Sequence, residues 1–188
     1  MMETMRDFVA LADVVRRITV EVIGNDTALG SGVSWPGGHV ITNAHVVRHA
    51  RVAVRSVDGR QLQARLLVRD AEADLALLSL DAADLPTATV ADAARVRIGS
   101  LVVAVGHPLG MRGALSAGIV HAIAPVVRGG APWIHADVRL APGNSGGPLA
   151  DVSGAIVGVN AMIVGGLALA VPIARVIDFA RSAGVAVP

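Results

Sequence analysis

The sequence predicts an all-β sandwich or barrel with a short helix at each end. Three observations carry this. From about Ile18 onward, RVAVRSV, QLQARLLV, DLALLSL, SLVVAVG, AGIVHAIA and AIVGVNAMIV are apolar or alternating runs of strand length. Between the runs stand turn signals: GNDTALGSG, WPGGH, VDGR, RDAEAD, HPLG, RGGAP, APGNSGG, VSGA and VGG. No helix-length pattern alternates with the runs, which argues against a βαβ succession.

The elements follow in order. Phe8, Leu11, Val14, Val15 and Ile18 recur at helical spacing, so residues 4–16 read as a short amphipathic helix. A first β half extends from about 18 to 90. The stretch Leu80 to Ser100, rich in Ala and Asp, reads as the connection to a second half at about 95–172. After Pro172, IARVIDFARSAG places Val176, Ile177, Phe179 and Ala180 on one helical face, and Gly184 is placed to stop that helix, giving 173–184. Residues 1–188 thus read as a single domain, with 1–17 as its N-terminal helix. No internal repeat is present.

Composition narrows the function classes. Of 188 residues, 53% are hydrophobic and 16% charged, so a sizeable core is available. The aromatic residues are Phe8, Trp35, Trp133 and Phe179, too few for a base-stacking platform, and the net charge is only +1. The expectation is no nucleic acid partner. The lack of cysteine removes disulfides, thiolate chemistry and Cys-based zinc sites. The N-terminal stretch is interrupted by Asp7, Asp13 and two arginines, unlike a signal peptide. No apolar run reaches the ~18 residues that span a bilayer. The reading is a soluble protein without membrane insertion. Its compartment stays open between the cytoplasm and, if a leader was removed, the periplasm or exterior.

Chemistry concentrates in APGNSGGPL, Ala141 to Leu149. A serine hydroxyl is a poor nucleophile at neutral pH; it needs a base, a group that orients the base, and donors for the developing oxyanion. Gly143, Asn144 and Ser145 form a turn that can present backbone N–H groups to one point, and Gly146 and Gly147 let the chain pass closely behind. A Gly-rich β-turn is the plainer reading of the same residues. Among six histidines, His45 in VITNAHVV sits where a strand gives way to a turn. His49, four residues later, suggests a metal pair, but Val46 stands where a metallopeptidase needs Glu. In RDAEADLALLSL, Asp74 directly precedes an apolar strand, while Asp70 and Glu72 read as solvated turn residues. The resulting order, His45, Asp74, Ser145, is that of chymotrypsin-type enzymes.

At these motifs the sequence resembles the HtrA/Deg-type trypsin-like serine proteases, from about Ile18 to Ala180. GSGVSWPGGHVITNAHVV, VDGRQLQARLLVRDAEADLALLSL, IGSLVVAVGHPLG, IHADVRLAPGNSGGPL and GAIVGVNAMIVGGLALAVPI carry the likeness in order. The resemblance implies two six-stranded antiparallel β-barrels with the active site between them and no cofactor or metal. It implies Ser145 as nucleophile, His45 as general base and acid, Asp74 as its orienting partner, and an oxyanion hole at Gly143, Asn144 and Ser145. It also implies that Asn160, Ala161 and Met162 pair with substrate backbone, and that Arg139, Leu140, Ala168, Leu169 and Ala170 line the pocket for the side chain before the cut.

Three departures stand out. The family usually carries a PDZ domain after the protease, whereas sixteen residues follow Pro172 here. His107 stands where the family commonly has Asn. Arg139 replaces a small or apolar residue; pointing inward it would favour an acidic or polar side chain before the cut, and pointing outward it would be neutral. The implied function is a serine endopeptidase acting on protein or peptide substrates, as in HtrA-like protein quality control. The alternatives are a latent, chaperone-like peptide-binding member and, less in keeping with the motif set, an esterase. By the same resemblance residues 1–17 could support a homotrimer, while a helix packed on its own barrel leaves a monomer.

Overall fold

The computed structural model describes residues 2–24, 27–81 and 85–188, with side chains from residue 7 onward. Asn25 and Asp26 of the turn signal GNDTALGSG, and residues 82–84 of the connection, lie outside the described residues.

The chain opens with helix α1 (Met2–Arg17) and then lays down β1 (Thr19–Gly24), β2 (Thr27–Trp35), β3 (His39–Thr42), β4 (Arg51–Arg55), β5 (Gln61–Asp70) and β6 (Leu75–Leu80). These close into a barrel in the order β1-β2-β3-β6-β5-β4. After the connection come β7 (Leu101–Gly106), β8 (Ala114–Pro125), β9 (Pro132–Ala136), β10 (Pro148–Asp151), β11 (Ile156–Val164) and β12 (Leu167–Pro172). They close a second barrel in the order β10-β11-β12-β9-β8-β7. The ladders in both barrels are antiparallel. Helix α2 (Ile173–Ser182) follows, and Gly184 beyond it takes a left-handed φ of 74° with its N–H on the Arg181 carbonyl. The all-β, double-barrel expectation is met.

Two local expectations change. TALGSG is strand, not turn: it forms most of β2, buried from Gly30 onward. Its glycines mark a close backbone approach rather than a bend. On α1, Leu11 and Val15 face the core with Ile18 just beyond it, while Phe8 and Val14 are 44% and 53% exposed. The stripe that packs is therefore narrower than the periodicity suggested.

Three apolar clusters explain the architecture. Val20, Val22, Val40, Val54, Leu78 and their neighbours fill the first barrel. Val102, Val120, Ile134, Leu149 and the alanines of β12 fill the second. The third lies between the barrels and joins Trp35, Leu75 and Leu77 to Val103, Val105, Ile156 and Val171, with both helices packed on it through Val15, Val176 and Phe179. The connection runs through this seam: Ala88 N–H bonds the Ser34 carbonyl of one barrel, and Ala91 N–H the Ile156 carbonyl of the other. With so few aromatics, burial rests on branched aliphatics packed in two barrel interiors and one shared wall.

Candidate active site

The candidate base and the acid expected to orient it come from the first barrel. His45 lies in the turn after β3, and Asp74 in the turn just before β6, with an unusual positive φ of 53°. Asn43 holds that strained turn, its amide donating to the Asp74 carbonyl at 2.9 Å. The Asp74 carboxylate then meets His45 twice. Nδ1 lies 2.9 Å from Oδ2 and 3.0 Å from Oδ1, and the His45 backbone N–H donates to Oδ1 at 3.1 Å. A carboxylate at Nδ1 fixes the proton there and leaves Nε2 as the acceptor. Asp70 does different work: Oδ1 accepts from the Glu72 and Ala73 N–H groups at 2.9 Å each, capping the turn.

Ser145 comes from the second barrel, on the loop before β10, and is tied to the first. Its carbonyl accepts the Ser31 N–H of β2 at 2.8 Å. Gly30 explains why β2 can come so close: a Cβ there would lie 2.8 Å from the Ser145 carbonyl oxygen and 2.9 Å from Val46, the residue after His45. One point on β2 thus touches both the nucleophile loop and the histidine turn. The Ser145 hydroxyl itself donates to the Ala161 carbonyl at 2.7 Å, not to His45.

The backbone before Ser145 leaves two N–H groups unengaged among the described residues. The Pro142 carbonyl accepts the Leu109 N–H at 3.3 Å. In a trans peptide the following N–H points the opposite way, so Gly143 N–H is turned away from that contact. Neither Gly143 N–H nor Ser145 N–H has an acceptor among the described residues. Gly143 has φ 107°, and a Cβ there would clash with the His107 carbonyl, so only glycine fits. Asn144 is not a donor to this hole: its N–H is spent on the Ala141 carbonyl at 3.0 Å, and its side-chain amide bonds the same oxygen at 3.2 Å.

The pocket residues fall into two groups. Ala161 and Leu169 are buried; Ala168 and Ala170, expected in the pocket, instead belong to the second barrel's core, and Leu140 packs against it. The register shifts between Asn160 and Met162, which makes Ala161 a bulge and explains why its carbonyl is free for Ser145. Asn160 is committed internally. Its N–H bonds the Gly147 carbonyl and its carbonyl accepts Gly146 N–H, while its side-chain amide donates to the Pro148 carbonyl. That backbone cannot also pair with a substrate. Met162 is 41% exposed at the edge. Arg139 is exposed, its carbonyl taken by the Ser116 hydroxyl, and the buried neighbour is Val138. The guanidinium therefore does not form a buried pocket base.

Sequence reading overlooked Ser31, and it assigned Ala161 to substrate pairing without foreseeing its carbonyl's bond to Ser145. Ser31 carried no signal beyond a glycine on either side, and the Ala161 bulge is a property of strand register. Among the described residues no cluster of three or more metal-binding side chains occurs.

With this geometry in hand, comparison with known proteins is decisive. The family described as "Trypsin-like peptidase domain" matches residues 30–159. The chain belongs to the trypsin-like peptidase family. Among curated relatives, a "Probable periplasmic serine endoprotease DegP-like" of Halomonas elongata is 39% identical over 163 residues, covering 81% of this chain and 34% of the relative. A protein of the same description from Pseudomonas putida is 39% identical over 161 residues, covering 80% and 34%. The chain thus spans about a third of the length of these relatives. Among solved structures, the HtrA-type protease AlgW with a tripeptide superposes with a TM-score of 0.86 at 28% identity, covering 93% of this chain and 62% of that one. AlgW with a decapeptide gives 0.85 at 24% identity, a likeness of fold, over 94% and 67%. The expected double-barrel, HtrA-like peptidase fold is the one observed.

Proposed function

We propose that this trypsin-like peptidase is a serine endopeptidase that cuts exposed segments of proteins through an acyl-enzyme. The observation that carries the reading is the joining of the His45–Asp74 pair and the Ser145 loop across β2, beside two unengaged N–H groups. Ser145 Oγ attacks the scissile carbonyl carbon as its proton passes to His45 Nε2. The oxyanion forms on the carbonyl oxygen, facing Gly143 and Ser145 N–H. Collapse breaks the C–N bond, and His45 returns the proton to the leaving amine. Water repeats the cycle on the ester. Asp74 holds the imidazole throughout. In the resting arrangement the serine hydroxyl must first leave the Ala161 carbonyl, a change of one staggered χ1 well.

The substrate side follows from the exposed edge at Met162 and from AlgW, solved with bound peptides: an extended segment would add beside β11 from Ala161 onward. The small Ala161 and the partly buried Leu140 favour a modest aliphatic side chain before the cut. Digestion of unfolded casein and of a peptide library tests this. Cleavage after Val, Ala or Leu, lost in Ser145→Ala and unchanged in Arg139→Ala, is expected; dependence on Arg139 or cleavage by Ser145→Ala would contradict it.

A second reading is favoured by the Ser145–Ala161 hydrogen bond: a latent member that binds peptides without cutting. Peptide binding by folded wild type with no turnover would support it. The relatives are described as periplasmic, and we infer the same compartment for this protein; cell fractionation checks it. Because α1 packs within its own chain through Leu11 and Val15, we infer a monomer. A trimer mass by light scattering that falls on removing residues 1–15 would contradict that.

A further inference from the structure

His107 lies immediately behind the oxyanion loop. It is 1% exposed, at the end of β7. Its backbone N–H donates to Ser31 Oγ at 3.0 Å, and its Nδ1 lies 3.1 Å from the same oxygen. Ser31 Oγ in turn donates to the Gly143 carbonyl at 2.7 Å. A hydroxyl has one proton and two lone pairs. The Gly143 carbonyl can only accept, so the hydroxyl proton is spent there. Both lone pairs then face N–H groups, and the imidazole contact must be Nδ1–H donating to Oγ. The remaining nitrogen, Nε2, is buried without a partner among the described residues. It must be the unprotonated one, since a buried N–H without an acceptor costs more than a bare lone pair in this wall. The direction of its titration agrees: burial first, then the Arg112, Arg16 and Arg55 guanidiniums, lower the imidazole to about 4.

We propose that His107 is a positioning residue for the oxyanion hole, its neutral imidazole locking Ser31 so that the Ser31 hydroxyl pins the Gly143 carbonyl and keeps the Gly143 N–H aimed at the reacting oxygen. The clamp has independent support on the same peptide run. His107 N–H also approaches the Gly143 carbonyl at 3.3 Å, and Leu109, held at φ 52°, bonds the Pro142 carbonyl. Carbonyls on both sides of the hole's N–H are thus fastened to residues 107–109 and to β2. An Asn at this position would keep the needed donor: its amide N–H stands the same number of bonds from Cβ as Nδ1.

This rests on the serine-protease reading, so the test has one arm that needs turnover and one that does not. In the first, kcat and KM for a cleaved peptide are measured in His107→Leu, Ser31→Ala, the double variant and His107→Asn. The clamp predicts a fall in kcat of about 10–100-fold with KM unchanged in the first two, below the loss from deleting a hole donor. It predicts a double variant no worse than the worse single, and recovery in His107→Asn. In the second, ¹⁵N NMR reads the His107 tautomer and the Gly143 amide. An Nδ1–H, neutral ring at pH 6 is expected, with a Gly143 amide signal that moves in His107→Leu and Ser31→Ala and returns in His107→Asn. An Nε2–H tautomer, a Gly143 amide indifferent to both variants, or additive kcat losses would overturn the clamp. Wild type without turnover counts against the protease reading alone, and the NMR arm still decides the clamp. Should His107→Leu fail to fold, Ser31→Ala and the tautomer suffice.

Discussion

At the scale of residues, the proposed mechanism gives three positions separable jobs. Asp74 acts only through His45, so Asp74→Asn should leave the fold intact and lower kcat by roughly 10⁴, the size of that change in the Ser-His-Asp template. Asp70→Asn should cost little activity, since Asp70 caps a turn. Kinetics on the two variants separate them; the reverse ranking would move the orienting role. Gly143→Ala should fold poorly or lose activity, because φ 107° and the His107 carbonyl leave no room for a methyl group. The three candidate residues stood out in the sequence because they sit in long motifs: His45 after an apolar strand end, Asp74 before one, Ser145 among glycines. What was not legible depends on contacts between distant strands. Asn144 looked like a donor until its N–H was traced to Ala141, and Asn160 looked like substrate-pairing backbone until Gly146 and Gly147 claimed it. Ser31 sits 112 residues from Gly143, so no local pattern announces the bond between them.

At the scale of elements, strands with a clear period were read well, and those rich in glycine were not. β4, β5, β6, β7, β8 and β11 match apolar or alternating runs. β2 was partly read as turn because TALGSG has the composition of a loop; its glycines exist to admit Ser145 and Val46 against the strand. The helices carry a stability prediction. Phe179 of α2 is 6% exposed in the seam between the barrels, so Phe179→Ala should destabilise by about 3–5 kcal/mol. Removing α1 uncovers the same seam, and deletion of residues 1–15 should lower the thermal midpoint. Denaturant and thermal unfolding measure both. An unchanged midpoint would mean that α1 does not support the barrels.

At the scale of the molecule, the barrels are held together by an apolar wall and by polar links that converge on the active site. Ser31 and Gly30 of the first barrel meet Ser145, Gly143 and His107 of the second. The proposed clamp would couple stability and catalytic geometry through one buried histidine. Its pKa is lowered from 6.5 to about 4 in the fold. The unfolded chain binds the extra proton first, so the stability contributed by neutral His107 is full above about pH 6.5 and is lost as pH falls to about 4. The loss is on the order of 3 kcal/mol across that window. Urea unfolding at pH 7 and pH 4.5 should show a smaller fall in His107→Asn than in the wild type. Equal falls would remove His107 from the acid sensitivity.

The central claim is that Ser145 is a nucleophile activated by His45. The most direct measurement is labelling of the folded protein with a fluorophosphonate, followed by peptide mass spectrometry. The account predicts a single adduct on Ser145, absent in Ser145→Ala and strongly slowed in His45→Ala. An adduct elsewhere, labelling indifferent to His45, or no labelling of well-folded wild type would contradict it.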